Sequence, residues 1–199
     1  RQLQTPFVCF VFFVVNSRNP MQTLNSQLQT LFQLSEFILQ RDNLAFLTVT
    51  REQLRPLLLH LRDKEGFTHL VLLTAVDWIE DNIFQLTYLL GDRTAGCDIG
   101  VRLMLPRDVA SMDSIHDLWP TAATYQRELR EMFGIDFPES PRVDEDFILE
   151  GWTDLPPYRR DFDTLKYSQE SYVDRLGRET KDPAAYMKLK LYPDEDNDG

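Results

Sequence analysis

Glu128 and Glu131 lie three positions apart, and Asp144 and Asp146 two apart, in a chain of 199 residues. Carboxylates paired in a closed cleft can separate their pKa values and divide the work of proton donor and acceptor. A free-standing hydrolase is therefore one chemistry these residues could serve. Arg127 and Arg130 interleave with the first pair and can neutralise it, and on an exposed helix the spacing is ordinary. Glu128 falls at the edge of an apolar stripe, where an acid buried alone is costly. It reads better as a paired carboxylate anchoring its helix to a neighbouring arginine. Arg159, Arg160 and Asp161 follow the rigid Pro156-Pro157 step. Arginine makes bidentate contacts with carboxylates and keeps its charge at all working pH values. Two readings stay open for this triplet: a docking clamp on another protein, or an internal salt bridge to Glu128 or Asp136. Asp77 ends an apolar run ahead of Trp78 and has a structural reading, as a turn cap. His60, His69 and His116 have no carboxylate or cysteine at ligand spacing and read as core or surface histidines. The sequence holds no G-x-G-x-x-G, Walker loop, cysteine cluster or H-E-x-x-H, so it offers no visible means of holding a nucleotide, flavin, metal cluster or quinone alone.

The balance of charges narrows the partners. A net charge of −11 argues against general binding to nucleic acid or anionic lipid, because phosphates demand a basic face. It suits a protein that docks on a basic partner surface. Cys9 and Cys97 could make at most one bridge and cannot build a structural zinc site by themselves; a reducing compartment is the simpler reading. The apolar run Pro6–Val15 is short of the roughly 20 residues that span a bilayer. It also lacks the basic flank and small-residue cleavage site of a secretory signal. It reads as a strand, or as a segment ahead of a start at Met21. Any membrane contact is expected through partners.

The elements that must position these residues can be read from periodicity. Leu24, Leu28, Leu31, Phe32, Phe37 and Ile38 recur at helical spacing and predict a helix over 22–41. Ala45–Val49 reads as a short strand. Thr50 and Gln53 suggest a capping box for a helix carrying Leu54, Leu57, Leu58 and Leu61. Pro56 favours a start nearer Arg55, which would place the proline in the first turn. Three strands follow. His69–Val76 is almost continuously apolar and suggests a central strand covered on both faces; Ile83–Leu90 and Ile99–Leu105 come next. The short spacings favour antiparallel hairpins. A helix from about Ala122 places Ala122, Tyr125, Leu129, Met132 and Phe133 on one face, and Gly134 sits where a left-handed cap would stop it. The fold class is α+β: a mixed, mainly antiparallel sheet with helices on one face, followed by an extended C-terminal arm. From Pro138 the chain is rich in proline, with Phe147, Trp152, Tyr158, Phe162, Tyr167, Tyr172 and Tyr186 spread through it. That reads as an arm ordered by a partner, closed by an acidic tail. The domains are then an N-terminal segment 1–20, a core 21–137, and a partner-binding arm and tail 138–199.

Gln126-Arg127-Glu128 with Glu131-Met132-Phe133-Gly134-Ile135, and downstream Leu155-Pro-Pro-Tyr-Arg-Arg-Asp-Phe162, resemble the signatures of the 30 kDa subunit of respiratory NADH dehydrogenase (complex I), the C-type subunit of the bacterial enzyme. The resemblance spans roughly Leu44 to Tyr167. It puts Arg127, Glu128, Glu131, Phe133 and Gly134 in the family signature, and Arg159, Arg160 and Asp161 at a partner-docking position. The chain departs from the pattern at Gln126, where the family has Glu, and at Ser140, where it has His. The resemblance implies a non-catalytic peripheral-arm subunit of a proton-pumping NADH:quinone oxidoreductase, on the cytoplasmic face of the inner membrane. It further implies packing against a 49 kDa-type (D-type) subunit near the quinone site. NADH, FMN, iron–sulfur clusters and quinone are expected on partner subunits. An equivalent subunit of a membrane-bound [NiFe] hydrogenase or ferredoxin-linked complex would use the same scaffold.

Overall fold

Residues 20–172, together with Asp182, Ala184, Met187, Lys188 and Leu191, are described by a computed structural model. The apolar run Pro6–Val15, Cys9, Tyr186 and the acidic tail lie outside these residues. Pro20 opens helix α1 (Pro20–Leu31), which buries Met21, Leu24 and Leu28; proline suits a first helical position because its missing N–H would be unpaired there.

The helix expected to continue to Arg41 stops at Leu31. Leu34–Arg41 is a strand, β1, turning through Asp42-Asn43 into β2 (Leu44–Val49) as an antiparallel hairpin. Phe37 and Leu39 alternate toward the core opposite Leu47 and Ala45, while Ile38 points to the other face. The apolar residues that looked helical therefore follow a period of two.

Helix α2 spans Arg51–Asp63, with Pro56 inside it. The capping box does not form, because Thr50 makes no side-chain cap bond to the helix. One hydrogen bond is lost at the proline. Burial of Leu54, Leu57, Leu58 and Leu61, all fully enclosed, offsets it, each contributing about 1.5–3 kcal/mol.

Strands β3 (His69–Trp78), β4 (Ile83–Asp92) and β5 (Cys97–Pro106) form an antiparallel meander. The sheet order is β1-β2-β5-β4-β3, and its one parallel pairing joins β2 to β5. The expectation that β3 is central is thus corrected. It is an edge strand, with Val76 and Trp78 exposed. On the covered face the rows run Asp77–Phe84–Leu105, Ala75–Leu86–Leu103 and Leu73–Tyr88–Val101–Leu47, roofed by α1, α2 and α3 (Ala122–Phe133).

Gly134 ends α3 at φ 76°, its N–H donating to the Arg130 carbonyl at 2.9 Å. Residues 138–161 belong with the sheet domain rather than to a separate arm: the first of two compact units ends at Asp161 and the second begins at Phe162. In the second unit, α4 (Thr164–Ser171) is capped by Asp163, which accepts from the Lys166 N–H at 2.9 Å. The rings of Phe162, Tyr167 and Tyr172 meet in sequence, tilted and then edge-on, at 5.6 and 6.4 Å between centroids. Among the described residues, no helix is long and apolar enough to cross a membrane.

A Cβ at Gly134 would meet Pro156 Cγ at 3.3 Å, and the left-handed backbone is itself unfavourable for alanine. Gly134→Ala is expected to lower stability by about 1–2 kcal/mol, read as a lower midpoint in urea unfolding with an unchanged slope.

Candidate functional site

Strand alternation turns Asp77, at the end of β3, inward beside Phe84 and Leu105. A carboxylate there needs a counter-charge. Arg107, the residue after β5, supplies it: Nε lies 2.8 Å from Asp77 Oδ1, in ion-pair range but outside hydrogen-bond geometry, and the two side chains are 8% and 1% exposed. Arg107 Nη2 also donates to Asp77 Oδ2 at 3.0 Å and to Asp161 Oδ1 at 2.9 Å. The backbone N–H of Arg160 donates to Asp77 Oδ2 at 2.9 Å. Arg159 Nε approaches Asp161 Oδ1 at 3.4 Å, and the guanidiniums of Arg107 and Arg159 both lie over the Phe84 ring, at 5.5 and 5.7 Å. Arg160 reaches outward and donates to Glu80 Oε2 at 2.6 Å. Neither arginine pairs with Glu128 or Asp136; their carboxylate partners are Asp161 and Glu80.

Burial works against charge on Asp161, but its backbone hydrogen bond, then Arg107 and Arg159, outweigh it and hold the carboxyl below the usual range. Burial likewise opposes charge on Arg107, and the Asp77 hydrogen bond and charge lift its pKa above the ordinary value.

The end of α3 receives the same segment. The Tyr158 N–H donates to the Met132 carbonyl at 3.0 Å, satisfying one of the carbonyls a helix end leaves open. Phe133 meets Phe84 and Tyr158 edge-on, at 6.0 and 5.7 Å. Just before Met132 and Phe133 in the helix, Glu131 accepts from the backbone N–H groups of Phe147, Ile148 and Leu149 at 2.6, 2.9 and 3.1 Å. Arg127 lies over the Phe147 ring at 5.4 Å and 3.9 Å from Glu145, and Arg130 pairs with Asp136 and Asp144. Arg127, Glu131 and Phe133 therefore hold residues 138–160 against the helix, and Gly134 leaves room for Pro156 to approach its end. Glu128 is the exception. It is half-buried and, among the described residues, has neither the arginine expected for it nor another hydrogen-bond partner.

The two departures from the family pattern touch each other. Gln126 is fully buried, and its Oε1 accepts from Ser140 Oγ and Ser114 Oγ, both at 2.7 Å. Gln126 falls between Ala122 and Leu129 on the inward stripe of α3, a spacing that marks its burial in the sequence.

The paired-carboxylate reading fails geometrically. Glu131 is occupied by backbone N–H groups, and Asp146 accepts from the Gly151 N–H at 3.2 Å. The open cleft beside the helix end is lined by Arg130, Asp136, Glu139 and Asp144, without Glu128 or Glu131. His60 does have a carboxylate, Glu65, at 3.0 Å, and His116 Nδ1 lies 2.9 Å from Ser114 Oγ. No group of three His, Cys, Asp or Glu among the described residues could hold a metal ion.

The family profile described as respiratory-chain NADH dehydrogenase, 30 Kd subunit, matches residues 47–168. The C-type subunit of NADH-quinone oxidoreductase from Moorella thermoacetica is 31% identical over 147 residues, covering 71% of this chain and 95% of that protein. Its counterpart in Citrifermentans bemidjiense is 32% identical over 130 residues, 65% of this chain and 80% of the relative. Among solved structures, one protein of the membrane-bound sulfane sulfur reductase, an archaeal respiratory membrane complex, superposes with a TM-score of 0.75 at 26% identity, covering 83% of this chain and 98% of the other. A trypsin-resistant fragment of Nqo5 superposes at 0.51 and 21% identity over 62% of this chain and 98% of that one; that likeness supports the fold alone.

Asp77→Asn would leave Arg107 buried beside a neutral amide. Stability is expected to fall by about 3–5 kcal/mol, with the Arg160 amide losing most of its hydrogen-exchange protection. The depressed Asp161 carboxyl contributes stability that is fully present above its unfolded value of about 3.9 and is lost as pH falls through the folded value. Below about pH 4 the wild-type melting temperature should therefore drop more steeply than that of Asp161→Asn; parallel curves would refute the assignment.

Proposed function

The chain belongs to the family of the respiratory-chain NADH dehydrogenase 30 kDa subunit, and from that premise we propose that it is a non-catalytic peripheral-arm subunit of a proton-pumping NADH:quinone oxidoreductase. It docks on the 49 kDa-type subunit near the quinone site, from the cytoplasmic face of the membrane, and touches the membrane only through its partners. NADH, FMN, the iron–sulfur clusters and quinone sit on other subunits. One observation carries this reading. Of the acidic and basic side chains of the signature helix, Arg127, Arg130 and Glu131 are engaged in fixing residues 138–160 to the sheet domain, and Glu128 is left without a second carboxylate to work with. The product of that arrangement is a shaped surface whose cleft beside the helix end contains neither Glu128 nor Glu131. By holding its neighbour the subunit keeps the electron-transfer chain and quinone site in register.

The docking role falls on Arg159, Arg160 and Asp161. Of these, Arg160 is the one presented outward: its side chain is 52% exposed and that of its partner Glu80 is 63% exposed. An exposed pair contributes little to folding, which leaves both groups available to an incoming surface.

A second reading has its own support. The likeness to the archaeal sulfane sulfur reductase protein extends over most of this chain. The same scaffold could thus serve a hydrogenase-like or ferredoxin-linked respiratory complex in place of an NADH-oxidising one.

Arg160→Ala separates folding from assembly. Stability of the isolated chain is expected to change by less than about 1 kcal/mol, while recovery of the 49 kDa-type subunit with the tagged chain from mildly solubilised membranes drops. Unchanged recovery would remove Arg160 from the interface. Mass spectrometry of the wild-type preparation distinguishes the two machines: flavoprotein subunits indicate NADH oxidation, and a nickel-site large subunit indicates the alternative.

A further inference from the structure

Among the described residues of the first unit, helices α1, α2 and α3 roof one face of the sheet. On the other, the registers set out rows of Trp78–Ile83–Pro106, Val76–Gln85–Met104, Thr74–Thr87–Arg102–Thr48–Glu36 and Leu72–Leu89–Gly100–Phe46–Ile38; Glu36, two strands from Arg102 in its row, makes no ion pair with it. Ile38, Leu72, Val76, Trp78 and Met104 stand 41%, 39%, 41%, 42% and 40% exposed, spread from one edge of the sheet to the other. A layer with this much apolar surface is normally covered by another.

At its centre is a built feature. Gly100 has no side chain, and Phe46 occupies the vacated space: a Cβ there would lie 2.3 Å from the ring. The Arg102 guanidinium sits over that ring, 4.2 Å from its centroid. Its Nε is shut off from solvent without an acceptor, and no carboxylate pairs with it among the described residues. A cation held flat in an apolar patch, without a paired carboxylate, is complementary to an anionic acceptor arriving from outside.

We infer that this open sheet face is a second docking surface, and that its occupant is a neighbouring protein subunit presenting an apolar surface with a carboxylate that meets Arg102. This rests on the chain being part of an assembly, as proposed above, but not on the Arg159–Asp161 segment. A second copy of the chain fits poorly, since a two-fold contact centred on the patch would set Arg102 against itself. Anionic lipid fits poorly as well: the registers set Glu36 and Asp98 on this face beside Arg41 and Arg102, a balance of charges and not a basic patch, on a chain of net charge −11.

Hydroxyl-radical footprinting of the isolated full chain and of the assembled native complex tests the inference, because Met104 and Trp78 are both oxidisable and both on the face. Oxidation of the two residues is expected to fall sharply on assembly, and Tyr158, exposed on the 138–161 segment, reports that segment in the same digest. Met104 and Trp78 oxidised equally in both states would overturn the sheet interface while leaving the proposed function standing. Absence of the chain from any assembly would overturn both. Protection already present in the isolated chain, with a dimer seen by sedimentation, would replace the partner subunit with a second copy and overturn the inference as stated. Arg102→Glu should lower incorporation into the complex by about thirtyfold or more, the effect of an unpaired charge at a buried contact, with Arg102→Lys retaining part of it. If Arg102→Glu fails to fold, the wild-type footprint decides.

Discussion

The path of the chain at residues 160–161 depends on one buried ion pair. Asp77 and Arg107 belong to the ends of strands that are not neighbours, β3 and β5, and they meet beneath the Phe84 ring of the strand between them. Removing two such charges from water is costly, and their mutual attraction repays it only when the remaining lone pairs and protons are satisfied. The spare capacity is met by a single returning segment, through the Arg160 amide and the Asp161 carboxylate. The pair therefore creates a demand that Arg160 and Asp161 meet at Asp77 Oδ2 and Arg107 Nη2. A proline-rich stretch with few regular elements is thereby held in a definite place.

Helix α3 distributes that restraint along its length. Glu131 gathers three consecutive N–H groups, Arg127 covers Phe147, and the helix end accepts Tyr158. The polar face of the helix serves the chain that follows it, and its apolar face serves the sheet. Gln126 links the two, since its amide oxygen ties Ser140 to Ser114 inside the domain. A polar residue at each of two altered positions leaves this internal contact neutral, with hydroxyl donors facing an amide acceptor.

Features with a local cause were readable in the chain. Gly134 stops α3 because only a left-handed residue fits there, and β4 and β5 alternate with a period of two. Where two periods coincide the reading fails: Phe37 and Ile38 suit a helical stripe, yet β1 uses one for each face. The edge position of β3 was hidden because outward Val76 and Trp78 make the strand look as if it were covered twice. The ionic site was legible in part. Arg159, Arg160 and Asp161 announce an ion-pair element, but their partners Asp77, Glu80 and Arg107 lie far away in sequence, and nothing local specifies the match. Glu128 was expected to find an arginine inside the domain and has none among the described residues.

The single parallel pairing has a kinetic consequence. The β1–β2 hairpin and the β3–β4–β5 meander each close between neighbours in sequence, but their junction brings together groups such as Asn43 and Gly96, 53 positions apart. Closing so long a loop costs entropy before its contacts form, and high contact order slows folding. Two locally ordered halves should therefore form early and wait on one another, with α2 as the crossover between them. Until they join, the edges of β2 and β5 are unpaired, and during synthesis β2 emerges well before β5. In that interval the nascent chain is exposed to mispairing with another copy of itself.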